Sequence, residues 1–172
     1  MNQPGEYLEL DGKPAVRFER RYPHPVQRVW QAIVDPEDSR HWFPSKLVIE
    51  KRVGGVVDFS DDPHQADGFG RVLAFEPPHR LHFSWGEDEL HFDLSTDGDG
   101  CVLRLTNVLA AADTAARNAS GWTVCLSELD KLIAGAPGAG PHSDEANAGF
   151  ETVYDDYIAA GMPHGAPIPT GD

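Results

Sequence analysis

From Ala15 to Asn107 apolar and polar positions alternate in short runs. Ala15 to Tyr22 sets Val16, Phe18 and Tyr22 on one side and Arg17, Glu19 and Arg21 on the other, with Arg20 sharing the apolar side. Period-two alternation predicts a half-buried strand. Further strands are expected at Lys46 to Lys51, Val56 to Ser60, Phe69 to Phe75 and Arg80 to Trp85, with a short one at Tyr7 to Leu10. The turn Gly54-Gly55, the polar loop Asp61 to Asp67 and the pair Pro77-Pro78 punctuate them.

Between the first strands the period changes. Val26, Val29, Trp30 and Ile33 recur at helical spacing, with Pro25 at the first turn, where a missing N–H costs nothing. Asp35 and Pro36 close this helix and cap a shorter one over Glu37 to His41. The adjacent aromatics Trp42 and Phe43 follow, as a core plug or the mouth of a pocket.

Two hairpins can be registered from turn chemistry. Gly86-Glu87 suits a two-residue turn and pairs Trp85 with Asp88, Phe83 with Leu90 and Leu81 with Phe92. A turn at Asp97-Gly98 sets Leu94 beside Cys101, Phe92 beside Leu103 and Leu90 beside Leu105. One face then carries Leu81, Phe83, Trp85, Leu90, Phe92, Leu94, Cys101, Leu103, Leu105 and Asn107. Burial of such side chains is worth roughly 1.5–3 kcal/mol each. The opposite face, His82, Ser84, Glu89, His91, Asp93, Arg104 and Thr106, is polar and is expected to meet water.

The partner of the apolar face is the run Ala110 to Gly135, where Trp122, Cys125, Leu126, Leu129, Leu132 and Ile133 recur at helical spacing. A long helix held by a curved antiparallel sheet encloses a space. Ala136 to Pro141 reads as a linker. Ser143 is placed to cap a last helix through Met162, whose Phe150, Val153, Tyr154, Tyr157 and Ile158 form a second apolar stripe. That stripe needs a surface, either on its own domain or on a second subunit in a homodimer. The domain plan is an N-terminal arm over 1–14, one α+β domain over 15–136, and a C-terminal extension over 137–172 with an irregular tail.

The chain has 172 residues and a formal net charge of -14. Its length and 40% hydrophobic content suit one domain with a core. Its acidity repels phosphate backbones and argues against nucleic acid as a partner. Cys101 and Cys125 suit neither a disulfide framework nor a thiolate cluster. The start has no apolar signal-peptide core and no stretch approaches a membrane span, so the expectation is a cytoplasmic protein without a membrane partner.

Several local patterns coincide with one family. AIVDPEDSRHWF (32–43), GGVVDF (54–59), GFGRVLAFEPPHRLHFSW (68–85) and GWTVCLSELDKLIAG (121–135) resemble homologues of the activator of the heat-shock-protein-90 ATPase, within the SRPBCC or START-like superfamily. The resemblance spans roughly 15–136. It implies a helix-grip fold, with two small helices after the first strand and a long helix closing a cavity. It also implies small-molecule binders, chaperone cofactors or, in remoter branches, cyclases and lipid carriers. The eukaryotic activator has an added chaperone-contacting domain for which this length has no room, so chaperone activation is not expected to transfer. Many close relatives carry His where this chain has Asn107.

The expected cavity is bounded by Trp42 and Phe43, by Phe59, by Phe83, Trp85, Phe92, Leu105 and Asn107 from the sheet, and by Trp122, Cys125, Leu126 and Leu129 from the long helix. Aromatic-lined concavities with few polar groups are the usual form of a ligand site. The alternative is a filled core. Asn107, if buried, must find partners, from a ligand or from the loop before the long helix. Gly121 is tolerable in a helix that passes close to the sheet or bends around a ligand.

His82 and His91 face each other across a strand pair but lack a third metal ligand and point outward. Cys125 has no activating base at near spacing. Asp58 and Arg71 lie on strands whose faces the pattern leaves open. No catalytic residue, cofactor or metal is assigned. The expected function is non-enzymatic binding of a small apolar or amphipathic molecule. A cyclase- or hydratase-like enzyme using the same cavity and a chaperone-related interaction module are the alternatives.

Overall fold

The computed structural model describes residues 3–169; the outermost residues of the arm and tail, 1–2 and 170–172, lie outside the described residues. Eight strands form one antiparallel sheet: β1 (Glu6–Leu10), β2 (Lys13–Tyr22), β3 (Lys46–Ile49), β4 (Val56–Ser60), β5 (Gly68–Glu76), β6 (Arg80–Trp85), β7 (Asp88–Asp97) and β8 (Gly100–Val108). Their order is β1-β2-β8-β7-β6-β5-β4-β3. Two small helices, α1 (Val26–Val34) and α2 (Pro36–Ser39), join β2 to β3. The long helix α3 (Ala115–Ile133) follows β8 through a 3-10 turn at Ala112–Thr114. The extension carries α4 (Asp144–Asn147) and α5 (Phe150–Ala159). This is the helix-grip α+β fold expected from the sequence.

Alternation explains which face is buried. In β6, β7 and β8, Leu81, Phe83, Leu90, Phe92, Leu94, Cys101, Leu103 and Leu105 all point into the core against α1 and α3. The first hairpin has the register read from its turn, with Leu81 opposite Phe92 and Phe83 opposite Leu90. The second is corrected: Asp97 pairs with Gly100, so Gly98-Asp99 forms the turn, and Leu94 faces Leu103 while Phe92 faces Leu105. Gly98 takes the left-handed φ of 58° that this turn requires. The pairing slips by two residues, which preserves the faces because side chains alternate with period two.

Other boundaries also move. The final helix is broken at Ala148-Gly149 rather than continuous. Ser143 caps α4, accepting from Ala146 N at 3.1 Å, and α5 starts afresh. The short strand expected in the arm forms, as edge strand β1 of the same sheet. The linker is docked: Glu128, buried on α3, accepts from Lys131 Nζ at 2.8 Å and from Gly140 N at 3.3 Å. Thr106, expected in water, is buried on the outer face beneath Arg17, whose Nε donates to its hydroxyl at 3.1 Å. Asp58 and Arg71 both point outward, since Val57 and Gly70 pair on the inner face of β4 and β5. Arg71 lies 5.9 Å above the exposed ring of Phe69.

Candidate functional site

A cleft of about 500 Å³ opens on one flank of α3. Its floor is Trp85 from the end of β6 and Gly121, Trp122 and Cys125 from α3. Its walls are Asp62, His64 and Gln65 from the β4–β5 loop, and Pro141, His142, Asn147 and Phe150 from the extension. Ile168 and Pro169 close one end.

The floor is aromatic. Trp85 and Trp122 have ring centroids 5.5 Å apart, and Phe43 lies 5.8 Å from Trp122 and 6.3 Å from Trp85. Helical spacing explains why Trp122 and Cys125 project together, three residues apart on one face of α3. Trp85 reaches them because it ends β6 at the turn, where the sheet curves toward the helix. Its indole N–H is buried and has no acceptor among the described residues.

The other expected cavity residues lie beneath this floor. Trp42, Phe59, Phe83 and Phe92 form a continuous ring cluster, with Trp42 6.1 Å from Phe92, Phe92 5.9 Å from Phe83, and Phe83 5.9 Å from Phe59. Trp42 is tied by its indole N–H to Ala32 O at 2.8 Å. Leu105, Leu126 and Leu129 are buried in the same core.

Asn107 is fully buried at the base of the cleft and all its polar capacity is used within the chain. Its Oδ1 accepts from Trp122 Nε1 at 3.1 Å and from Asn118 Nδ2 at 3.0 Å. Its Nδ2 donates to Asp88 Oδ2 at 3.0 Å and toward the Val108 carbonyl at 3.3 Å. Asp88 in turn accepts from Ala110 N at 2.9 Å through its other oxygen. Asn107 thus fastens the loop that launches α3 and orients Trp122.

Gly121 carries a correction. A Cβ built there meets nothing within 4 Å, so the helix does not press on the sheet at this point. The missing side chain widens the cleft instead.

Sequence reasoning missed the rim. Asp62, His64 and His142 come together from segments far apart in the chain, and their ordinary polar-loop composition carried no signal. The His64 and His142 rings are 5.5 Å apart, His142 Nε2 contacts Pro44 O at 2.6 Å and lies 3.9 Å from the largely buried Asp62. Cys125 is a poor nucleophile: burial, then the nearby carboxylates of Asp62 and Glu128, push its thiol far above the ordinary range. Among the described residues no cluster of three His, Cys, Asp or Glu side chains could hold a metal ion.

The C-terminal stripe turns inward. Tyr157 is buried against α3, its hydroxyl accepting from Gly5 N at 2.9 Å and meeting Thr123 Oγ1 at 2.9 Å. Val153, Tyr154 and Ile158 pack on the same core, and Phe150 faces the cleft. No helix among the described residues is long and apolar enough to cross a membrane.

Known structures share this architecture. CalU16 from Micromonospora echinospora is 25% identical, with a TM-score of 0.73 over 92% of this chain and 94% of that one. The Aha1 dimer from Colwellia psychrerythraea is 17% identical, with a TM-score of 0.58 over 69% of this chain and 95% of that one. DynU16, from the dynemicin biosynthetic locus, is 22% identical, with a TM-score of 0.51 over 87% of this chain and 48% of that one. No curated protein matches the sequence. The model of the Activator of Hsp90 ATPase homolog 1-like protein family matches residues 23–134, from the segment before α1 through the end of α3. The chain therefore belongs to the Activator of Hsp90 ATPase homolog 1-like family, within the SRPBCC superfamily.

Proposed function

We propose that the cleft over Trp85 and Trp122 binds a small, mainly apolar or amphipathic molecule without turning it over. The carrying observation is the buried, acceptor-less indole N–H of Trp85, whose ring forms part of the cleft floor. Buried tryptophan N–H groups normally find an acceptor, and a ligand carbonyl, ether or hydroxyl that enters beside the edge of the Trp85 ring supplies one. The apolar body of such a ligand rests on Trp122, Phe150 and Ile168. The biosynthetic locus named for DynU16 supports a small organic molecule as the ligand class. A cytoplasmic location belongs to this reading, supported by two buried free thiols.

Native mass spectrometry of freshly purified protein, followed by denaturing extraction, tests the reading. An apolar adduct retained by wild type and lost on Trp85→Phe supports it. An adduct retained equally by both variants overturns the role of the indole N–H. The same spectra count subunits. Homodimerisation is supported by the dimer described for the Colwellia protein, but its interface is proposed elsewhere than on Tyr157, which is engaged inside one chain.

A second reading, a cyclase- or hydratase-like enzyme in the same cleft, is favoured by the approach of His142 to Asp62 at the rim. Chemical alteration of an extracted ligand on incubation with fresh protein, abolished by Asp62→Asn, selects it.

A further inference from the structure

A larger cleft, about 870 Å³, lies on the opposite flank of α3, between the N-terminal arm and α5. Thr123 and Ser127, one turn apart on α3, form part of its wall. The cation in its lining is Arg20 of β2, which is 5% exposed although it carries a permanent charge. Its Nη1 donates to Gln3 O at 2.7 Å and to Glu19 O at 3.1 Å, and the guanidinium lies 5.5 Å from the Phe18 ring centroid. These are neutral partners. No carboxylate forms an ion pair with Arg20 among the described residues, and its buried Nε has no acceptor. A buried charge is costly unless paired. The remaining wall is partly apolar, through Val153, Ala160 and Met162, and Asp156 and Glu6 bring acidic groups to it.

We propose that this cleft is a second ligand site, taking an amphipathic organic carboxylate whose head group pairs with Arg20 and whose chain lies along Val153, Ala160 and Met162. A guanidinium whose Nε edge is free is suited to a carboxylate. The nearby Asp156 and Glu6 select a single negative charge over a multiply charged head. This site shares no lining residue with the cleft over Trp85, so either can fail without the other.

The test uses decanoate, below its micelle concentration, titrated into the full chain by calorimetry and by amide chemical shifts. Decanoate is expected to shift the amides of Thr123, Ser127 and Tyr157 and to bind at least tenfold more tightly than decanol. Arg20→Met, which keeps the side-chain length, is expected to weaken decanoate at least tenfold and leave decanol unchanged. Ala160→Trp, which fills the cleft and keeps Arg20, is expected to block both and serves if Arg20→Met does not fold. Equal binding of decanoate and decanol, shifts confined to the Trp85 and Trp122 indoles, or undiminished affinity in either variant would overturn the proposal, as would absence of binding to wild type.

Discussion

The indole N–H of Trp122 donates to Asn107 Oδ1 at 3.1 Å, joining the long helix to the middle of the sheet at the base of the cleft. Trp122→Ala removes a buried ring and is expected to destabilise the domain by about 3–5 kcal/mol. Asn107→Leu leaves the buried Trp122 indole N–H without its acceptor and removes the amide that bridges Asn118 and Asp88, and is expected to cost about 2–3 kcal/mol. Urea denaturation measures both. Wild-type midpoints would show that the junction carries no stability.

The outer face of the sheet carries a pH response. His82 and His91, opposite each other in the register, stack with ring centroids 3.9 Å apart. Burial, and then the charge of His82, hold the His91 imidazole below its ordinary 6.5. Its folded pKa is depressed, so the unfolded chain takes up the proton first, and stability falls as pH drops below 6.5. His91→Gln is expected to flatten that fall in urea midpoints recorded across the range. Parallel profiles for the two proteins would rule it out.

Asp93 adds a second fall at lower pH. Burial opposes its charge, but the hydrogen bond from His82 at 2.9 Å and the neighbouring cations outweigh it, and its pKa lies below 3.8. The stability it contributes is present above 3.8 and is lost as pH falls through the lower folded value. Asp93→Asn is expected to remove this acid limb and, because the Asp93 charge raises the His91 pKa, to deepen the His91 limb.

Two glycines are expected to respond in opposite directions. A Cβ on Gly70 would clash with the Ser84 carbonyl oxygen, a backbone atom that cannot step aside. Gly70→Ala is therefore expected to cost about 1–3 kcal/mol. Gly121, with open space around it, gains helix propensity, so Gly121→Ala is expected to stabilise by about 1 kcal/mol. Chemical denaturation of the pair decides it, and a loss of stability in Gly121→Ala would mean the cleft floor is more crowded than described.

The extension is a lid on its own domain. Tyr157→Phe deprives Gly5 N of its acceptor and is expected to cost about 1–2 kcal/mol. Truncation after Gly140 exposes the α3 surface that Tyr157 covers and is expected to lower Tm further, as read by calorimetry. Unchanged melting in both would detach α5 from the fold.

Period-two alternation determined the strands and the inner face, because each side chain's face follows from its parity along the chain, and the Gly86-Glu87 turn added the register that sets His82 opposite His91. Helical spacing determined α1 and the buried stripe of α3 for the same local reason. The family motifs between 32 and 135 determined the arrangement of these pieces. What the pattern did not contain was anything set by approach between distant segments. Asp62, His64 and His142 meet at a rim that exists only because the extension folds back over α3. Arg20 looked like a blemish in an apolar stripe and became the buried cation of a second cleft once the arm and α5 closed around it. Asn107 was recognisable as an inward polar residue, but its partners come from β7, α3 and its own strand neighbour Val108. Gly121 is compatible in sequence with a close approach to the sheet or with space for a ligand, and the open space beside it depends on the surfaces that face the helix. Those outcomes depend on which surfaces compete for one another in three dimensions, and local periodicity carries no record of that competition.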